Sequence, residues 1–209
     1  YRETFPSRAT ALGDYRFDDQ LERLDASHRE RWIAFNEAAL KNLQTALSAS
    51  PDQASRIDLE LLQRQVEQEI LEWKHNQQAE RDPLFWVSPL SQSSLYLLLR
   101  RDRPASERLA FAVKRSAQIP RLIDEALAAL RTDQAEVIDP IRAGEAASRL
   151  RALVVFYRDG LHQAEGADAA MQRQLKRAGR DAARAIEKLA LRAEKMAAIG
   201  KADFRLGAD

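Results

Sequence analysis

Apolar residues recur along the chain at three- and four-residue steps, and no stretch sustains a two-residue alternation bounded by hairpin turns. The pattern predicts an all-α fold, an irregular bundle of about seven to eight helices built from antiparallel helix pairs. A short turn near Pro6 to Leu12 and an irregular stretch from Gly13 to Asp25 come first. Ser27 with Glu30 then reads as a capping box, opening a helix with Trp32, Phe35, Ala39, Leu43 and Leu47 inward. Ser50 as N-cap, Pro51 at the first helical position and Gln53 at the third predict the next helix, running to about Gln78. Its core positions are Leu59, Leu62, Val66, Ile70 and Trp73, so the two helices form a hairpin.

Pro83 and Pro89 push the residues before them out of helical geometry, so Asp82 to Pro89 reads as a crossing between helix pairs. Helices are predicted over Leu90 to Arg100 and Pro104 to Gln118. A third restarts at Ile119-Pro120 with Ile123, Ala126, Leu127 and Leu130 inward. Asp139-Pro140 caps a further helix with the stripe Ala147, Leu150, Val154, Tyr157 and Leu161, ended by Gly166. Asp168 opens the longest helix, with Ala182, Ile186, Leu189, Ala193 and Met196 inward and a break at Gly200. The domain expectation is one N-terminal helical domain over 1–209 of a longer parent. Within it, 200–209 begins the connection to a C-terminal catalytic half.

Composition narrows the function classes. The 45% hydrophobic content of 209 residues supports a continuous core. With 33 basic and 32 acidic residues, the net charge of +1 gives no overall pull toward nucleic acid or anionic lipid. No cysteine is present, which excludes disulfides, thiolate zinc sites and cysteine nucleophiles. No apolar run approaches the ~20 residues of a membrane span. Tyr1 in place of methionine reads as a mature or trimmed terminus.

Each of the three histidines has a carboxylate three residues before it: Asp25 and His28, Glu72 and His75, Asp159 and His162. On helices this spacing is how carboxylate-bridged di-metal bundles present ligands. Asp25 precedes a capping serine and Gly160 interrupts the third pair, so exposed helix pairs are the better reading. No His-Glu-x-x-His, Gly-x-Ser-x-Gly or phosphate-cradling glycine loop occurs. The predicted site residues are therefore none catalytic, none cofactor-binding and none metal-binding. Arg173, Arg177, Arg180, Arg184, Lys188, Arg192 and Lys195 form a basic stripe, without aromatic residues to stack on bases. It reads as a solvated or partner-facing side and not as a nucleic-acid site. Phe85 and Trp86, between the prolines, are candidate cleft or partner contacts, against the plainer reading that they plug the end of the bundle.

Several phrases resemble a bacterial family known as domain of unknown function number eight hundred and eighty-five. They are the run Phe5 to Arg16, then Ile57-Asp58-Leu59-Glu60-Leu61-Leu62, then Arg115 with Ile119-Pro120-Arg121-Leu122 and Ala126, and finally Phe204-Arg205-Leu206-Gly207. The resemblance spans essentially the whole chain. It implies a large helical parent whose later half carries a helix-borne zinc motif of metallopeptidase type, in proteins described as exported lipoproteins or peptidases. No residue here matches those ligands, so the implied role is a non-catalytic N-terminal part shaping a cleft for a peptide substrate. The implied partner is the C-terminal half, with zinc in the parent and none in this fragment. The alternatives are an independent helical protein-interaction module and the di-metal bundle.

Overall fold

A computed structural model describes residues 2–49 and 51–202, and among these every regular element is helical. Contacts divide the chain into two compact units, residues 24–78 on one hand and residues 1–23 with 79–209 on the other.

The smaller unit is the predicted hairpin, formed by α2 (Ala26–Ser48) and α3 (Gln53–Ile70). Both N-caps differ from expectation. Asp25 caps α2, accepting from the His28 amide at 3.0 Å, while Ser27 lies inside the first turn and donates back to Asp25 at 2.8 Å. Asp52 caps α3, accepting from the Ser55 amide at 3.0 Å; Ser50 lies outside the described residues. In each case a carboxylate two residues from the serine takes the position, because its charge complements the positive end of the helix as well as its free amides. Burial raises the Asp25 pKa, but the His28 amide, the Ser27 hydroxyl and the His28 ring outweigh it and bring it down to about 2. The Asp25–His28 spacing is thus a capping arrangement, with Nδ1 2.6 Å from Oδ2.

Two predicted core residues of the hairpin are exposed, Phe35 at 57% and Leu62 at 54%. A two-helix pair covers one face of each helix, so a wide apolar stripe stays partly open. What ties α2 to α3 is Glu69, whose carboxylate accepts from both indoles, Trp32 at 3.1 Å and Trp73 at 3.0 Å. Instead of running to Gln78, α3 loosens into a π-helical turn, Leu71–His75, and Gln77 takes φ 50°.

The larger unit contains α1 (Pro6–Ala11), the short α4 (Gln78–Arg81) from Ala79 on, α5 (Leu84–Leu99), α6 (Ala105–Ser116), α7 (Ile119–Ala129), α8 (Pro140–Val155) and α9 (Ala169–Ile199). The crossing predicted at Asp82 to Pro89 is instead the first half of α5, with Pro89 inside the helix. Proline removes one hydrogen bond there, at a cost of ~3 kcal/mol in a helix interior. Burial of Trp86, Val87, Leu90 and Leu97 on the same helix outweighs that loss.

Asp139 caps α8 through the amides of Ile141 and Arg142, and Asp168 caps α9 through that of Met171, as the sequence predicts. Leu150, Val154, Tyr157 and Leu161 are buried, as are Ala182, Ile186, Leu189, Ala193 and Met196. Because Arg151 reaches Glu187 and Glu194 while residue 157 meets residue 179, α8 and α9 run antiparallel. The end of α8 passes into a π-helical turn, Phe156–Gly160. Its Tyr157 carbonyl lies so close to Gly179 that a Cβ there would overlap the oxygen. Gly179→Ala is expected to lower unfolding free energy by about 1–3 kcal/mol despite the better helix propensity of alanine, as read by urea denaturation. An unchanged midpoint would show that the helices separate without cost. Gly200 follows α9 as expected, and from residue 203 the predicted connection, with Phe204 to Gly207, lies outside the described residues.

Candidate functional site

The most concentrated chemistry in the larger unit is a buried polar cluster around Arg115 of α6, a side chain with 0% exposure. Its guanidinium donates to the Ser93 carbonyl at 3.2 Å, the Pro6 carbonyl at 3.2 Å, the Phe17 carbonyl at 3.0 Å and Thr10 Oγ1 at 2.5 Å. Thr10 in turn donates to Asp18 at 2.7 Å. Glu22, also buried, accepts from the Ser7 amide at 3.0 Å and from the Ser7 hydroxyl. Burial pushes the Arg115 pKa down, while Glu22 and Asp18 oppose that shift. Arg115 Nε and Glu22 Oε2 are buried without a hydrogen-bond partner among the described residues. The charge is therefore balanced by nearby carboxylates collectively and not by one forked pair.

Other side chains extend the grip. Arg121 donates to the Glu22 carbonyl at 2.8 Å, Gln118 to the Asp19 carbonyl at 2.7 Å, and Arg100 to the Thr10 carbonyl at 3.3 Å. On the other side of Ser93, its hydroxyl pairs with Tyr157, whose own hydroxyl donates to the Leu90 carbonyl at 3.0 Å. Burial raises the Tyr157 pKa, against smaller opposing effects of Ser93, Ser94 and Arg115. The network holds the segment from Pro6 to Glu22 as a strap across α5, α6 and α7. It thereby joins two phrases far apart in sequence, Phe5 to Arg16 and Arg115 to Leu122. Chemically it is a lock: Thr10, Asp18, Glu22, Ser93, Arg115 and Tyr157 are buried, while Arg100, Gln118 and Arg121 stand half-buried at its edge.

An open pocket of about 520 Å³ lies beside the strap, lined by Arg2, Leu12, Gly13, Asp14, Tyr15, Arg16 and Arg103. The guanidinium carbons of Arg100 and Arg103 stand 3.8 and 4.6 Å from the Tyr15 ring centroid. Hydrogen bonding from Arg16, against burial and aided by Arg2, holds the Asp14 carboxyl well below its usual range. Arg100 and the Tyr15 hydroxyl do the same for Asp102. Arg2 and Arg16 share Asp14, Arg100 pairs with Asp102 and Arg103 with Glu107, so every arginine around the pocket is engaged while one positive charge is left over.

The candidates named from sequence fall elsewhere. Trp86 is 0% exposed and donates to the Ala79 carbonyl at 3.0 Å, and the half-buried Phe85 packs edge-on against it with centroids 5.4 Å apart. Both lie on α5 and not in a loop. Glu72 is engaged by the side-chain amides of Gln68, Asn76 and Gln78, and Asp159 by Arg158. Among the described residues no group of three or more histidine, cysteine or acidic side chains is placed to hold a metal ion. The zinc implied for the parent thus finds no fitting donor set there. Sequence reasoning named Arg115 in a family phrase but assigned it no role. The signal was its place on the apolar face of α6 and α7, in step with Leu109, Ala112 and Ile119.

Fold and site together define an all-helical chain whose larger unit holds a buried polar network around Arg115. Residues 6–209 match the model of the bacterial proteins of unknown function DUF885, and the chain belongs to that family. Among solved structures it is similar to "a putative lipoprotein of unknown function from Shewanella oneidensis", with a TM-score of 0.73 at 17% identity. That match covers 94% of this chain and 35% of the other, so this chain spans about a third of the length of that protein. No curated protein matches the chain. No helix of the described residues is long and apolar enough to cross a membrane.

Proposed function

We propose that this chain is the non-catalytic N-terminal helical part of a larger exported protein, walling a substrate cleft that the remainder of the parent completes. The observation that carries this reading is the pairing of a 94% match on this side with 35% on the other, while the described residues bring no metal-binding group together. The lipoprotein likeness supports export. The resemblance of the sequence phrases to the family supports zinc peptidase-like chemistry in the remainder, with a peptide as substrate. The locked strap fits a wall, because a rigid surface keeps a cleft in shape. Purified residues 1–209 are expected to bind no stoichiometric zinc and to cleave no peptide, while the full-length parent does both. Metal analysis and a peptide-hydrolysis assay read this directly; stoichiometric zinc with turnover in residues 1–209 alone would overturn it.

A further inference from the structure

The exposed face of α9 is a row of cations. Arg173, Arg177, Arg180, Arg184 and Lys188 follow one another at three- and four-residue steps, and Lys195 continues the row beyond the exposed Leu191. At 1.5 Å per residue the row is about 33 Å long. The acidic groups of the helix are already engaged. Glu187 and Glu194 bind Arg151 of α8 at 3.0 and 2.8 Å, Asp181 binds Arg184, and Asp168 caps the helix. Arg192, expected in the stripe, turns away to the carbonyls of Leu127 and Leu130, closing the end of α7. Among the described residues Arg173, Arg177, Arg180, Lys188 and Lys195 form no ion pair, so the chain's net charge of +1 conceals a local excess of positive charge along α9.

We propose that this face docks on an anionic phospholipid surface, with headgroup phosphates lying along the row. Charge complementarity calls for a polyanion, and three features favour lipid. First, α9 is one uninterrupted helix of 31 residues, so its cations lie along a line that a plane of headgroups meets throughout, whereas a nucleic-acid groove curves away. Second, no aromatic residue between Met171 and Ile199 is available to stack on a base. Third, the only large apolar residue on the row is Leu191, 54% exposed, which is too little for the dry centre of a protein interface. The apolar face of α9 is buried in the bundle at Leu175, Ile186, Leu189 and Met196, so docking is peripheral and electrostatic, without insertion.

The test is co-sedimentation of the protein with phosphatidylcholine vesicles made with or without phosphatidylglycerol, over a range of salt. Binding is expected only with phosphatidylglycerol, weakening as salt shortens the screening length. The triple variant Arg173→Glu, Arg177→Glu, Arg180→Glu should reduce partitioning roughly a hundredfold or more. The same positions changed to Gln should reduce it in the same direction, which guards against a helix disturbed by the reversals; circular dichroism checks the fold of each. The control Lys41→Glu, Arg56→Glu, Arg64→Glu carries an equal change of total charge on the hairpin and should leave binding intact. The proposal is overturned by equal sedimentation with neutral vesicles, by α9 variants that bind like wild type, by an equal loss in the hairpin control, or by capture of duplex DNA or polyglutamate in preference to vesicles at the same salt.

Discussion

Replacing Arg115 with methionine is expected to lower unfolding free energy by about 3–5 kcal/mol and to release the strap from Pro6 to Glu22. Methionine fills much of the same volume but carries no donor. The carbonyls of Pro6, Phe17 and Ser93 then lose their partner, and Glu22 and Asp18 lose the buried countercharge. Urea denaturation measures the first effect, and hydrogen exchange over residues 6–22 measures the second. Adding Glu22→Leu to the variant should recover part of the loss, because a buried carboxylate without countercharge costs more than the two hydrogen bonds it accepts from Ser7. Lysine would not substitute, since one ammonium cannot reach carbonyls arranged for a planar fork. A change below about 1 kcal/mol would mean that the strap is held by Arg121 and Gln118 instead.

Trp86→Ala is the second large effect, expected at about 3–5 kcal/mol. The indole is fully buried, and its Nε1 supplies the donor for the Ala79 carbonyl at the turn into α5. Trp86→Phe separates the two contributions. It keeps much of the packing but strands that carbonyl, for a smaller loss of about 1–3 kcal/mol. Phe85→Ala, at a half-buried site, should cost less than Trp86→Ala. If Phe85→Ala proved the more damaging in thermal denaturation, the assignment of Trp86 as the main buried anchor of α5 would fail.

Much of the architecture could be read from the sequence, and particular residues show where that reading stops. Asp139-Pro140, Asp168 and Ile119-Pro120 mark helix starts because capping and fixed φ are local properties, and the α8 and α9 stripes follow from periodicity alone. At Ser27, two capping residues two positions apart compete for one cap, and the sequence pattern does not rank Asp25 above it. Pro89 inside α5 and the open Phe35 and Leu62 depend on what packs against each helix, which lies outside a local window. The π-helical turns at Leu71–His75 and Phe156–Gly160 leave no periodic signature over five residues. Arg115 is the extreme case, since its partner Pro6 is 109 positions away. The family phrase names Arg115 without a role, and the physical sign of one is the placing of a charged residue on an apolar face.

The strap is gripped through main-chain oxygens: those of Pro6, Thr10, Phe17, Asp19, Leu21 and Glu22 are met by side chains from the helices beneath. A backbone oxygen is the same whichever residue carries it. The donors Arg115, Gln118 and Arg121 are therefore the specific half of the arrangement, and Phe17, Asp19 and Leu21 the permissive half as far as this grip is concerned. Related proteins can change letters at those three positions and keep the attachment, whereas losing one of the donors removes a fastening that no change in the strap's own side chains restores.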